Sequence, residues 1–169
     1  MSDLQRLHES VWIAPSAHLS GRIAIAEGAS IWHNAVMRAE CQEIRIGRMT
    51  NVQDFVMIHV GYDHPTRIGD FCSITHHATV HGATLEDDCL VGIGAVLMDG
   101  VVIGRGSIVA GVPAKVIRER DSTVANRMNA WNYHRNAEAY QRGEHRAWDG
   151  AGFRTWVWAK LRELNDTVG

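Results

Sequence analysis

From Ile13 an aliphatic residue recurs every six positions: Ile13, Leu19, Ile25, Ile31 and Met37. The series resumes at Ile46, Val52, Ile58, then at Ile68, Ile74, Val80, and continues at Leu85, Val91, Leu97, Ile103 and Val109. Small or β-branched residues stand four positions on, at Ala17, Ile23, Ala29, Ala35, Thr50, Val56, Cys72, Ala78, Thr84, Cys89, Ala95, Val101 and Ser107. A period of six is neither the 3.6 of a helix nor a long simple alternation. It calls for short straight strands joined by tight corners, with one large and one small side chain inward per hexapeptide. Three hexapeptides close one triangular coil of about 18 residues, so the chain reads as an all-β solenoid, a parallel β-helix of about five coils. Gly28, Gly47, Gly69, Gly104 and Gly106 fall where corners need small or unusual backbone. The count slips by three residues near Glu43. It slips by four around Gly61 to Arg67, where Asp63-His64-Pro65 reads as a protruding loop.

The pattern stops at Gly111-Val112-Pro113-Ala114-Lys115, which divides the chain into a β-helix domain (1–115) and a C-terminal helical cap and tail (116–169). From Asp121 or Ser122 to Gly143 the sequence reads as a helix laid back along the stack to cap it. A second short amphipathic helix runs from Phe153 to Leu164, with Phe153, Val157, Leu161 and Leu164 on one stripe and Trp156 and Trp158 adding apolar bulk. It is expected to dock on the coil or on a neighbour.

With 17 Lys and Arg against 19 Asp and Glu, the net charge of −2 argues against a basic nucleic-acid surface. No stretch reaches the 18 apolar residues of a membrane span, and the polar start lacks the apolar core of a signal peptide. Cys41, Cys72 and Cys89 form no disulfide framework, so a soluble, cytoplasmic protein is expected. Cys72 and Cys89 share the inward small-residue slot one coil apart and read as core atoms.

Ten histidines are many for 169 residues, and histidine is the commonest metal ligand. His59 follows the inward Ile58 and His81 the inward Val80, so both hold the second hexapeptide position on one side of the prism, 22 residues apart. That is one coil plus the four-residue loop, and successive parallel strands lie about 4.8 Å apart. The two imidazoles should stack on one outer face, close enough to share one ion. His76 holds the third position of the preceding hexapeptide, on a different side, and could reach such a site on its neighbour in a three-fold trimer. Three His with an open position is the catalytic zinc pattern. A single outward His would be a solvated surface group; the stacked pair with a third at the corner argues otherwise. His77 should point away, and His64 is a loop candidate for proton transfer.

The sequence resembles the γ-class carbonic anhydrase family of left-handed β-helix proteins from about Val11 to Tyr140. The resemblance is carried by Val36-Met37-Arg38-Ala39-Glu40, Thr50-Asn51-Val52-Gln53-Asp54, Met57-Ile58-His59-Val60, His76 through Val80-His81-Gly82, Val91-Gly92-Ile93-Gly94-Ala95 and Gly111-Val112-Pro113-Ala114-Lys115. It implies a homotrimer with metal sites at subunit interfaces, where His59, His76 and His81 bind Zn²⁺, or Fe²⁺ or Co²⁺, with His76 donated across the contact. It implies that Gln53 orients the metal-bound water, that Arg38 and Asp54 form an ion-pair network at the subunit contact, and that Tyr133 lies near the site. Arg38 and Asp54 suit a structural role equally well, and Tyr133 suits simple helix packing. The implied reaction takes a small molecule: the metal lowers the pKa of its water from 15.7 to about 7, hydroxide attacks CO₂, and bicarbonate leaves.

Three departures from the family pattern stand out. Glu40 replaces the usual Asp, the acidic loop of the founding members is absent, and Ala110 runs straight into Gly111-Val112-Pro113, about one coil early. The Trp-rich tail is expected to cover the end so exposed. Acyl-CoA transfer or hydrolysis on the same scaffold, and a non-catalytic scaffold role, are the competing readings. Three matched His together with Gln53 favour the lyase.

Overall fold

The computed structural model describes residues 4–118 and 122–168. The strands are β1 (Gln5–Leu7), β2 (Trp12–Ile13), β3 (His18–Ile25), β4 (Ser30–Ile31), β5 (Val36–Ile46), β6 (Asn51–Val52), β7 (Met57–His59) and β8 (Thr66–Ile68). They continue with β9 (Ser73–Ile74), β10 (Thr79–His81), β11 (Thr84–Leu85), β12 (Leu90–Val91), β13 (Val96–Leu97), β14 (Val102–Ile103), β15 (Ile108–Ala110) and β16 (Lys115–Arg118). Two helices follow, α1 (Thr123–Gln141) and α2 (Ala151–Val168). The strands wind into a left-handed parallel β-helix of about six turns. One face stacks β2, β4, β6, β9, β12 and β15 as six parallel rungs. The sixth turn arises because the repeat begins at Leu7, six residues before Ile13, where β1 pairs with β3.

The hexapeptide period sets the core. From Ile25 onward every aliphatic position of the series is at most 4% exposed, each burial contributing roughly 1.5–3 kcal/mol. The small-residue slots fill the space between them, with one exception. Val80 and Leu85 are five residues apart, so that corner is a residue short; Ala83, not Thr84, takes the inward slot and is fully buried. Cys72 and Cys89 sit in the core as expected, their thiols donating to the carbonyls of Glu86 (3.1 Å) and Gly104 (3.2 Å). Burial pushes the Cys72 thiol up. Gly28 and Gly106 take positive φ, while Gly47 is needed for space: a Cβ there would lie 2.4 Å from the Gly69 carbonyl.

Both slips in the count are outward excursions. Gly21 pairs with Ala39 but Ile23 pairs with Ile44, so three extra residues bulge from β5 and leave Glu40 and Cys41 exposed. The second is a tight loop closed by Gly61 N–H donating to the His64 carbonyl at 2.8 Å, with Tyr62, Asp63 and His64 exposed.

Helix α1 starts after Ser122 and runs back down the face formed by β2, β4, β6 and β9; Asp121 lies outside the described residues. Its 19 residues span about 28 Å, and the five steps between six rungs total about 24 Å, so one helix covers the stack. Its anchor is Asp88, a fully buried carboxylate. Arg127 grips it with two hydrogen bonds of 2.8 Å, and Arg105 reaches it at 2.9 Å. The Asn126 amide donates to the Asp88 carbonyl at 2.8 Å.

The tail departs from expectation. Helix α2 docks on α1 rather than on the coil: the Arg135 guanidinium lies 4.7 Å from the Trp156 ring, and the Lys160 ammonium 3.6 Å from the Trp131 ring. At the open coil end β16 folds back antiparallel on β15, its four residues exposed. No helix among the described residues is long and apolar enough to cross a membrane. Arg127→Ala leaves a buried carboxylate with Arg105 alone, and urea unfolding should register a loss of about 3 kcal/mol.

Candidate functional site

Strands β7 and β10 are neighbouring rungs in register, which sets His81 directly over His59. His59 Nδ1 and His81 Nε2 face each other at 3.0 Å. The outer nitrogens meet carboxylates: His59 Nε2 lies 3.0 Å from Glu40 Oε2, and His81 Nδ1 lies 2.7 Å from Asp99 Oδ1. The three-residue bulge in β5 is what carries Glu40 out over His59. Its own backbone N–H and then the His59 ring hold the Glu40 carboxyl below the usual carboxylate range. Carboxylates accept, so each outer nitrogen donates and the two inner nitrogens turn their lone pairs toward each other. Their 3.0 Å separation is close to what one ion needs: two nitrogens bound at about 2.0–2.1 Å to one tetrahedral ion lie about 3.3 Å apart.

His76 stands at a corner of the prism, apart from this pair. Its Nδ1 lies 3.1 Å from Asp54 Oδ2, and the Tyr133 hydroxyl, reaching in from α1, donates toward its Nε2 at 3.4 Å. Tyr133 is buried against Trp32, and burial, with the Asp54 charge behind it, pushes its phenol up to about 12. It therefore remains a donor across the physiological range. Gln53 is 2% exposed and spends its amide nitrogen on Asn51 Oδ1 at 2.9 Å, leaving an acceptor oxygen to offer. Asn51 donates in turn to Ser73 Oγ (2.9 Å), which also accepts from Asn129 of α1 (2.8 Å).

Within the chain Arg38 pairs with Glu40 at 2.6 Å and Asp54 with His76 at 3.1 Å. Among the described residues no three of His, Cys, Asp or Glu converge to hold an ion in a single chain. The chain presents a stacked imidazole pair and, apart from it, a lone corner imidazole. Each of the three rings has one nitrogen on a carboxylate, the arrangement that orients metal-binding histidines. His77 stacks flat on Phe55, ring centroids 4.9 Å apart. Sequence reasoning missed Asp99 and the path from Gln53 to Asn129. Asp99 had a signal, standing 18 residues after His81 and so one coil on; Asn129 had none.

No family model matches the chain. Over 108 residues it is 42% identical to Gamma carbonic anhydrase 2, mitochondrial, of Arabidopsis thaliana, a match spanning 60% of this chain and 39% of the relative. Over 128 residues it is 32% identical to the Carbonic anhydrase of Geobacillus kaustophilus, spanning 65% of this chain and 70% of the relative. The chain belongs to the γ-class carbonic anhydrase family of hexapeptide-repeat proteins. The backbone of this γ-class member also matches a hexapeptide transferase family protein from Anaplasma phagocytophilum. That pair has a TM-score of 0.69 and 28% identity, and the match covers 80% of this chain and 92% of that one. The chain covers about two fifths of the length of the plant relatives it matches.

The raised Tyr133 pKa has a stability consequence. The neutral phenol is favoured in the fold, so its contribution is complete below about 10, the ordinary tyrosine value, and is lost as pH rises through about 12. In near-ultraviolet difference titration, Tyr133→Phe should remove a tyrosine ionisation centred at about 12.

Proposed function

We propose that this chain is the subunit of a homotrimeric, metal-dependent lyase that interconverts CO₂ and bicarbonate. In this reading His59 and His81 of one subunit and His76 of the neighbouring subunit hold the ion. The observation that carries it is the in-register His59–His81 pair, whose inner nitrogens are 3.0 Å apart and whose outer nitrogens rest on carboxylates. An all-imidazole donor set suits Zn²⁺ and also accepts Fe²⁺ or Co²⁺. The ion would supply Lewis acidity, bringing the pKa of a water to about 7.

The chain's own residues do the rest. Gln53, fixed through Asn51, offers its carbonyl oxygen to the reacting water and so sets the direction of attack. Asp54 holds the Nδ1 side of His76, so the Nε2 lone pair that meets the Tyr133 phenol in the single chain would turn to the ion, freeing that phenol as a donor beside the site. Arg38 braces Glu40 against His59. His64, exposed on its loop, would pass the released proton to solvent. Three free thiols fit a reducing, cytoplasmic setting.

Metal analysis of anaerobically purified protein supplied with metal, alongside a stopped-flow CO₂ hydration assay, tests this reading. About one ion per chain with hydration supports it, and substantially less than one ion per chain sinks it. Metal without hydration favours acyl-CoA chemistry or a scaffold role. The shared site has its own test. His76→Ala and His59→Ala trimers should each lose metal, and mixed trimers should recover about a quarter of the sites. If mixing restores none, the cross-subunit site is wrong.

A further inference from the structure

We infer that Asp99 is a positioning residue for His81, and that the corner carrying it is shaped to place its carboxylate there; this rests on the metal-binding reading above. Asp99 lies one coil beyond His81, just after β13. Its Oδ1 accepts from His81 Nδ1 at 2.7 Å, closer than the Glu40–His59 (3.0 Å) or Asp54–His76 (3.1 Å) contacts. With Nδ1–H committed, the lone pair of His81 must be on Nε2, the nitrogen that faces His59.

The surroundings make room for this one carboxylate. A Cβ at Gly82 would lie 2.1 Å from Asp99 Oδ1, and a Cβ at Gly61 would lie 2.5 Å from it. Glycines on two successive turns, next to His81 and shortly after His59, thus clear the path by which Asp99 reaches back toward the lower rung. The corner is pinned as well: Gly82 N–H donates to Thr66 Oγ1 (3.0 Å), Thr66 donates to the His59 carbonyl (2.6 Å), and Gly100 N–H donates to the Gly82 carbonyl (2.9 Å). The Asp99 side chain is 43% exposed, and a polar contact that open adds little to stability. Its effect should therefore appear in the direction and tautomer of His81 rather than in folding. Losing such a partner typically weakens metal binding 10–100-fold.

The test uses the full-length, metal-free protein titrated with Co²⁺ and read by the visible absorption of the bound ion, with Zn²⁺ competition for affinity. Asp99→Ala should weaken binding about 10–100-fold, with the unfolding temperature close to wild type. Asp99→Asn keeps an acceptor and should lose less. Gly61 has no positive φ, so Gly61→Ala is tolerated by the backbone but crowds the carboxylate; it should weaken Co²⁺ binding by itself and add nothing in the Asp99→Ala background. Wild-type affinity in Asp99→Ala, or fully additive losses in the double variant, would overturn the inference alone. Failure of the wild type to bind either ion would overturn the metal-binding reading and this inference with it.

Discussion

Stacking of one aliphatic side chain per hexapeptide, rung on rung at about 4.8 Å, is the interaction that organises this molecule. It buries three columns, one per face of the prism, between Ile25 and Val109. It also forces each residue beside an inward one onto an outer column whose members are one rung apart. His59 and His81 face each other because Ile58 and Val80 are stacked beneath them. The face under α1 follows the same rule, placing Asn51 over Ser73, and it is a helix long enough for the whole stack that buries that polar column.

The places where the repeat fails are the places where chemistry collects. Three extra residues in β5 lift Glu40 to the His59 ring, and the four-residue loop brings His64 and Gly61 to the corner that Asp99 occupies. The residue missing between Val80 and Leu85 draws Ala83 into the core at the turn that follows His81 and Gly82. A perfectly regular coil would still stack two histidines but would surround them with less carboxylate. Because those carboxylates meet the outer ring nitrogens, the inner nitrogens are left facing each other. The third imidazole lies beyond reach of the pair within the chain, which makes assembly a condition of the proposed centre.

The solenoid, its inward positions, the two buried cysteines and the His59–His81 pair were all legible in the sequence, because each follows from a six-residue period and one strand spacing. Thr84 was misplaced because a one-residue deletion at a corner leaves little trace in an aliphatic count. The tail was read as an amphipathic helix, which it is, yet its partner was not legible. A stripe of Phe153, Val157, Leu161 and Leu164 describes a face that needs covering and says nothing about which surface covers it.

By itself, then, the sequence determined the coil, its registers and the two imidazoles that one coil brings together, since these depend on local spacing repeated along the chain. Only the tertiary structure decided that Asp99 accepts from His81, that Glu40 reaches His59, that Tyr133 meets His76 across 57 residues, and that Asn129 meets Ser73 across 56 to complete the path to Gln53. Those contacts depend on how corners bend, which rotamers the side chains hold and where α1 lies against the prism, and no periodicity encodes them.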